Sequence, residues 1–168
     1  MKKEVKQNIT FAIIILAAIL LLAFADYIVL EKIYHPLSQQ FNISWDVFSA
    51  NPFGVILPMQ WWHVAFFTIA FVMFALLGVA AKSWRLWLSG TIIFLTGWED
   101  IFYYLIQLKW LPKELSWLDA APMGLSRFIT QSPHVTNVGV VISAIIGLAV
   151  SAMIILRYNP IKLFRKKK

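Results

Sequence analysis

The residues of this chain best suited to chemistry are two adjacent acids, Glu99 and Asp100, in the run Gly97-Trp98-Glu99-Asp100-Ile101-Phe102-Tyr103-Tyr104. They fall inside residues 86–108, a stretch long and apolar enough to cross a bilayer as a helix. Counting about 1.5 Å per residue from Leu86 puts Glu99 about 20 Å into the hydrocarbon and about 10 Å below the far surface. Insertion scales put a charged side chain near the bilayer centre at roughly 2.5–3.5 kcal/mol, so two in succession must be solvated, paired or protonated. On a helical wheel Tyr103 falls about 40° from Glu99, Gln107 about 80°, Asp100 about 100° and Tyr104 about 140°. Apolar residues fill the rest of the circle, so the polar arc is expected to face the bundle interior or a wet cavity.

Other polar residues are expected at the same level. Asp26, Tyr27, Glu31, Tyr34 and His35 share one side if the first span continues outward as helix, with Glu31 and His35 one turn apart. His63 opens the second span and His134 precedes the fourth. All three histidines, and every acidic residue except Glu4, fall on the Glu99 side of the membrane or in its loops. Bland roles also fit several of them: Asp26, Glu31 and His35 as a hydrated helix end beside Lys32, His63 as an interfacial hydrogen bonder, Glu114 and Asp119 as solvated loop charges.

Three chemistries suit such a set. A divalent metal, zinc before others, could be ligated by Glu99 or Asp100 with His63 and His134, and perhaps by Glu31 and His35, leaving one position for an activated water. The paired Glu-x-x-His sets of di-iron bundles are absent, so a single ion is expected. Without metal, adjacent carboxyls under an apolar lid repel, one is expected to keep a proton, and the pair supports acid–base work with Tyr103 and Tyr104 as donors. A bis-histidine haem between His63 and His134 is the third. The favoured expectation is a metal-assisted or acid–base enzyme, a hydrolase or transferase, acting on a lipid or amphiphile. Glu99 and Asp100 serve there as ligand and base, with Tyr103 and Tyr104 as catalytic donors. The rival is an accessory subunit or a small ion or proton pathway, for which the opposite leaflet holds few polar residues.

The elements that must position these groups follow from composition. Of 168 residues 60% are hydrophobic and only 14% charged, whereas soluble domains carry about 25% charged residues. The chain is expected to be an all-α, polytopic membrane protein whose four transmembrane helices form a bundle. The spans are residues 9–30, 62–80, 86–108 and 138–156, joined by two long, aromatic-rich outer loops, 31–61 and 109–137. The first apolar run is too long for a signal-peptide core and no small-x-small site follows, so it is expected to be retained. Eleven of the fifteen basic residues lie at the N-terminus, at Lys82 and Arg85, or in the tail 157–168, which places both termini in the cytoplasm and the acidic site toward the exterior of the cell membrane. Trp61, Trp62, Trp84, Trp87, Trp110 and Trp117 fall near span ends, where amphipathic rings prefer the headgroups.

The outer loops exceed the usual connection length, carry the turn Asn51-Pro52-Phe53-Gly54 and the prolines Pro112, Pro122 and Pro133, and are expected to cover the outer mouth of the bundle. The tail residues 162–168 suit anionic inner-leaflet lipid at roughly 1 kcal/mol per basic residue. No nucleic acid is expected. Gly139, Ser143, Gly147 and Ser151 form a small-residue stripe expected to pack against the first span or a second copy of the chain. The lack of cysteine excludes disulfides, thiol redox chemistry and iron–sulfur clusters, and no phosphate-loop, dinucleotide, nucleophile-elbow or HExxH motif occurs.

Overall fold

The computed structural model describes residues 2–41, 61–119 and 126–156. The turn at 51–54, most of the first outer loop, Pro122, Met123 and the basic tail lie outside the described residues. Helix α1 (Lys2–Tyr27) passes through a widened π-helical stretch, Ile28–Tyr34, into α2 (His35–Phe41). There follow α3 (Trp61–Ala80), α4 (Trp84–Leu95), α5 (Trp98–Ile106), a 3₁₀ turn at Ser116–Leu118, α6 (Ser126–Thr130) and α7 (Asn137–Ile155). Three stretches, Glu4–Phe41, His63–Ala80 and Asn137–Ile155, are long and apolar enough to cross a membrane. Large apolar side chains point outward along all three, among them Leu21, Leu76 and Ile145, each at least 60% exposed. Outward-facing apolar surface on that scale calls for lipid, and the chain is a helical membrane protein.

The first and third spans depart from expectation. The first does not stop near residue 30 but stays helical to Phe41. Its π-helical turns come just before Pro36, whose ring in a regular helix would meet the carbonyl four residues back; widening the turn relieves that contact. In the third, Gly97 adopts φ 92° and divides residues 86–108 into α4 and α5. Each piece alone is under about 20 Å long, too short to cross.

Hydrogen bonds fix how the helices run. Arg85 reaches Asn8, and Tyr103 reaches Glu31, over sequence separations of 77 and 72 residues. The near-constant offset makes α1 parallel to α4–α5. Along α7 the separations fall from 70 (Arg85 to Ile155) through 62 (Ser89 to Ser151) to 46 (Trp98 to Ala144), so α7 is antiparallel to them. Thus α1 and α4 begin, and α7 ends, at one end of the bundle, the Arg85 end.

The main core joins Phe11, Ile15 and Ile19 of α1 to Phe66 and Phe74 of α3 and Leu86 and Phe94 of α4. The Gly147–Ser151 part of the small-residue stripe finds its partner in α4–α5 of the same chain, while Gly139 faces Ser126 of α6. Ser89 and Ser151 each donate to the other's backbone carbonyl, at 3.4 and 3.1 Å, and Thr96 lies where a Cβ on Gly147 would go. Gly90 of α4 meets the ring of Phe74, which is fully buried, in the same way. A Gly90→Ala change is expected to lower stability by about 1–3 kcal/mol through overpacking, read as an earlier unfolding midpoint in detergent. An unchanged midpoint would show that the Phe74 ring can move aside.

Candidate functional site

At the end of the bundle away from Arg85, the break at Gly97 puts Glu99 and Asp100 in the first turn of α5. The positive end of a helix favours carboxylates there, and irregular backbone at membrane depth is tolerated only inside protein or beside a wet cavity. Trp98 anchors the restart by donating Nε1–H to Ala144 O at 2.8 Å. Glu99 is 7% exposed, and its Oε1 is buried with no hydrogen-bond partner among the described residues. Asp26 of α1 stands close enough that its charge acts on both Glu99 and Asp100. Three acids therefore share one interior region.

A second layer lies outward of them. Tyr103 donates its hydroxyl to Glu31 Oε1 at 3.0 Å, while Glu31 Oε2 lies 3.2 Å from Nδ1 of the exposed His35. The Tyr27 ring packs edge-on against Tyr103, Tyr103 against Tyr104, and Lys32 lies over Tyr27. The structure thus brings together the polar faces expected on the first and third spans, with Glu99, Asp100, Tyr103, Glu31 and His35 in one connected region. Tyr104 touches the cluster through Tyr103 and otherwise packs against the loop core.

The other two histidines belong elsewhere. His63 sits half-buried on α3 with its ring near Phe67. His134 is held by Asp119, whose Oδ2 accepts from Nδ1 at 2.7 Å and whose Oδ1 accepts the Val135 N–H at 2.7 Å. Among the described residues no three His, Asp or Glu side chains are grouped so as to hold a metal ion. Two features of this end carry little sequence signal: the αL restart, marked only by Gly97 within an apolar helical pattern, and the loop clasp at Asp119, which carries none.

That clasp shapes the segment between α5 and α7 around it. Leu111, Leu115 and Leu118 are buried with Val135 and Val140, packed on Ile101 and Tyr104, and a single antiparallel bridge joins Glu114 to Thr136. Leu111, Leu115 and Leu118 thus cover the end of α5 away from Arg85, while Trp110 is exposed. Burial pushes the Asp119 carboxyl up, but the bonds from His134 and Val135 and the charges of Arg127 and His134 outweigh it and hold it below its ordinary value. A lowered native value means the clasp contributes fully above the unfolded-chain value of about 3.9 and loses its contribution as pH falls through the native one. The Val135 amide resonance is expected to keep its hydrogen-bonded shift at pH 5 and lose it only below about pH 4, with Asp119→Ala, which has no acceptor, losing it at every pH. A transition near neutral pH would contradict this.

Comparison of the chain with protein-family models, with curated proteins and with solved structures found no match.

Proposed function

We propose that this chain is a four-span protein of the cell membrane, with both termini in the cytoplasm and its acidic cluster in the outer leaflet. In this reading it is an acid–base enzyme that hydrolyses, or transfers a group from, a lipid or amphiphile. Supporting the orientation are the lysines and arginines gathered at the Arg85 end and the acids and histidines gathered at the other. Because the chain has no cysteine, it can be mapped by single introductions. Ser116→Cys is expected to react with an impermeant maleimide in intact cells, and Lys82→Cys only after permeabilisation; the reverse pattern overturns the orientation.

The observation that carries the chemistry is Glu99, buried, with an open oxygen, beside Asp100 and Asp26. Three acids brought this close repel one another when all are ionised, and in this reading one is a carboxylic acid beside a carboxylate. That combination supplies a general base for water and a general acid for a leaving oxygen, as paired carboxyls do in other hydrolases. Tyr103 and Tyr104 stand as donors for a headgroup or a developing oxyanion. Glu31 and His35 link Tyr103 to the surface and give protons a way out. Because the acids are gathered without His63 and His134, the metal-free version is favoured over the zinc one.

Purified protein reconstituted in a total membrane-lipid extract is expected to generate a new lipid or released headgroup detectable by mass spectrometry. Treatment with a chelator is expected to leave it unchanged. No lipid product from wild-type protein, over a range of pH, overturns the enzyme reading. The rival, a proton pathway, needs polar groups that continue toward the Arg85 end. There Thr96, Ser89 and Ser151 donate to backbone carbonyls within the helix packing and form no chain toward that end.

A further inference from the structure

Opposite the acidic cluster, a groove of about 450 Å³ runs between α1 and α7 from Asn8 and Leu156 to Trp98 and Phe102. Its walls are apolar along the whole length, with Ile15, Leu16 and Ile19 on one side and Leu148 and Ala152 on the other. From Asn8 to Ile19 it is about 17 Å long at 1.5 Å per residue, close to the ~15 Å hydrocarbon depth of one leaflet. Its one polar end is the Arg85 end. There Arg85, itself 4% exposed, donates Nη1–H to Ile155 O at 2.6 Å and to Asn8 Oδ1 at 3.5 Å, and both Asn8 and Ile155 line the groove.

Arg85 does not itself line the groove but ties together Asn8 and Ile155, which do, and so places its positive charge behind that end. Lys2, Lys3, Lys6 and Lys82, against the one acid Glu4, belong to the same end, and six more basic residues follow Leu156 in the sequence. Length, apolar lining and a positive polar end together match a single kind of occupant. We propose that the groove holds one acyl chain of an anionic phospholipid, with its phosphate at the Asn8–Arg85 end. This is a binding site separate from the acidic cluster, and it stands whether or not that cluster is catalytic.

The test is native mass spectrometry of full-length protein released from bilayers of phosphatidylcholine doped with phosphatidylglycerol. One phosphatidylglycerol per chain is expected to remain bound. Filling the groove by Ala152→Phe or Ala12→Phe should cut its retention about tenfold, equivalent to about 1.4 kcal/mol. Leu76→Phe, on an exposed face of α3, should leave retention unchanged. Should a groove-filling variant fail to fold, wild-type protein is labelled with phosphatidylglycerol carrying an acyl-chain diazirine, and the adducts are expected on α1 and α7. The proposal is overturned if phosphatidylcholine is kept equally well, if the filled grooves retain lipid, or if adducts fall elsewhere. It also fails if retention is lost in the combined variant Lys162→Gln, Arg165→Gln, Lys166→Gln, Lys167→Gln and Lys168→Gln, which leaves the groove intact.

Discussion

In the lipid-enzyme reading proposed above, changing Glu99 to Gln is expected to cut product formation by orders of magnitude and, at the same time, make the protein harder to unfold. The side chain keeps its shape, but the group can no longer carry a negative charge or give up a proton. General acid–base catalysis contributes typically 10²–10⁴-fold, so the rate of lipid product formation should fall by about that factor. Stability should move the other way. Glu99 is buried beside Asp26 and Asp100, and at neutral pH the folded state must bear either their repulsion or the cost of keeping them protonated. Removing one of the three acids is worth about 1–3 kcal/mol in this setting, by analogy with buried charges replaced by neutral groups. A higher unfolding midpoint together with lost activity is the signature of a site that trades stability for function. If Glu99 were only a structural tie, Glu99→Gln would be neutral or destabilising and product formation would survive. Asp26→Asn should behave in the same sense, since it faces the same pair from α1.

The largest loss of stability is expected at Arg85. This residue lies at the start of α4, yet it points inward and caps the last turn of α7 through Ile155 O, with Phe11 packed 5.5 Å from the guanidinium. Terminal carbonyls of a helix have no partner of their own, and a cation there also meets the negative end of the helix dipole. Three helices are tied at one point, because Asn8 belongs to α1. Removing one member of a buried charged network typically costs 3–5 kcal/mol, and Arg85→Ala should lower stability by about that amount in an unfolding titration in mixed micelles. Arg85→Lys should recover only part of it, since an ammonium offers a point charge without the planar fork. A loss below about 1 kcal/mol for Arg85→Ala would mean that the residue acts as an ordinary interfacial cation. In sequence Arg85 carries no mark of this role. It is one of two basic residues in a short link, and topology alone accounts for its presence.

The contrast between Arg85 and Glu99 shows what kind of information a membrane sequence holds. Glu99 and Asp100 stand out because their surroundings are apolar for a whole span, so the cost of placing them there can be estimated from the sequence itself. The arc they form with Tyr103 rests on helical periodicity, and the structure pairs that arc with Glu31 and His35 of the first span as the spacing implied. His63 and His134 are different. Their distance from the acids depends on how α3 and the outer loop fold over the bundle, which no local spacing encodes. His134 is drawn to Asp119, fifteen residues away, by a loop whose course is decided by the burial of Leu111, Leu115 and Leu118.

Long apolar runs are properties of the chain alone, because a bilayer rewards each of them separately. Helical content, the length of the apolar helices and the burial of Glu99 were therefore legible in the sequence. Which helices touch was decided by tertiary packing. The stripe from Gly139 to Ser151 specifies a close approach without naming a partner, and only the fit of Ser89 and Thr96 assigns Gly147 and Ser151 to α4–α5, with Gly139 left to Ser126. The left-handed turn at Gly97 and the widened turns before Pro36 belong to the same class. Each is a small local departure from a regular helix, and its consequence appears only when a neighbouring helix fills the space it opens.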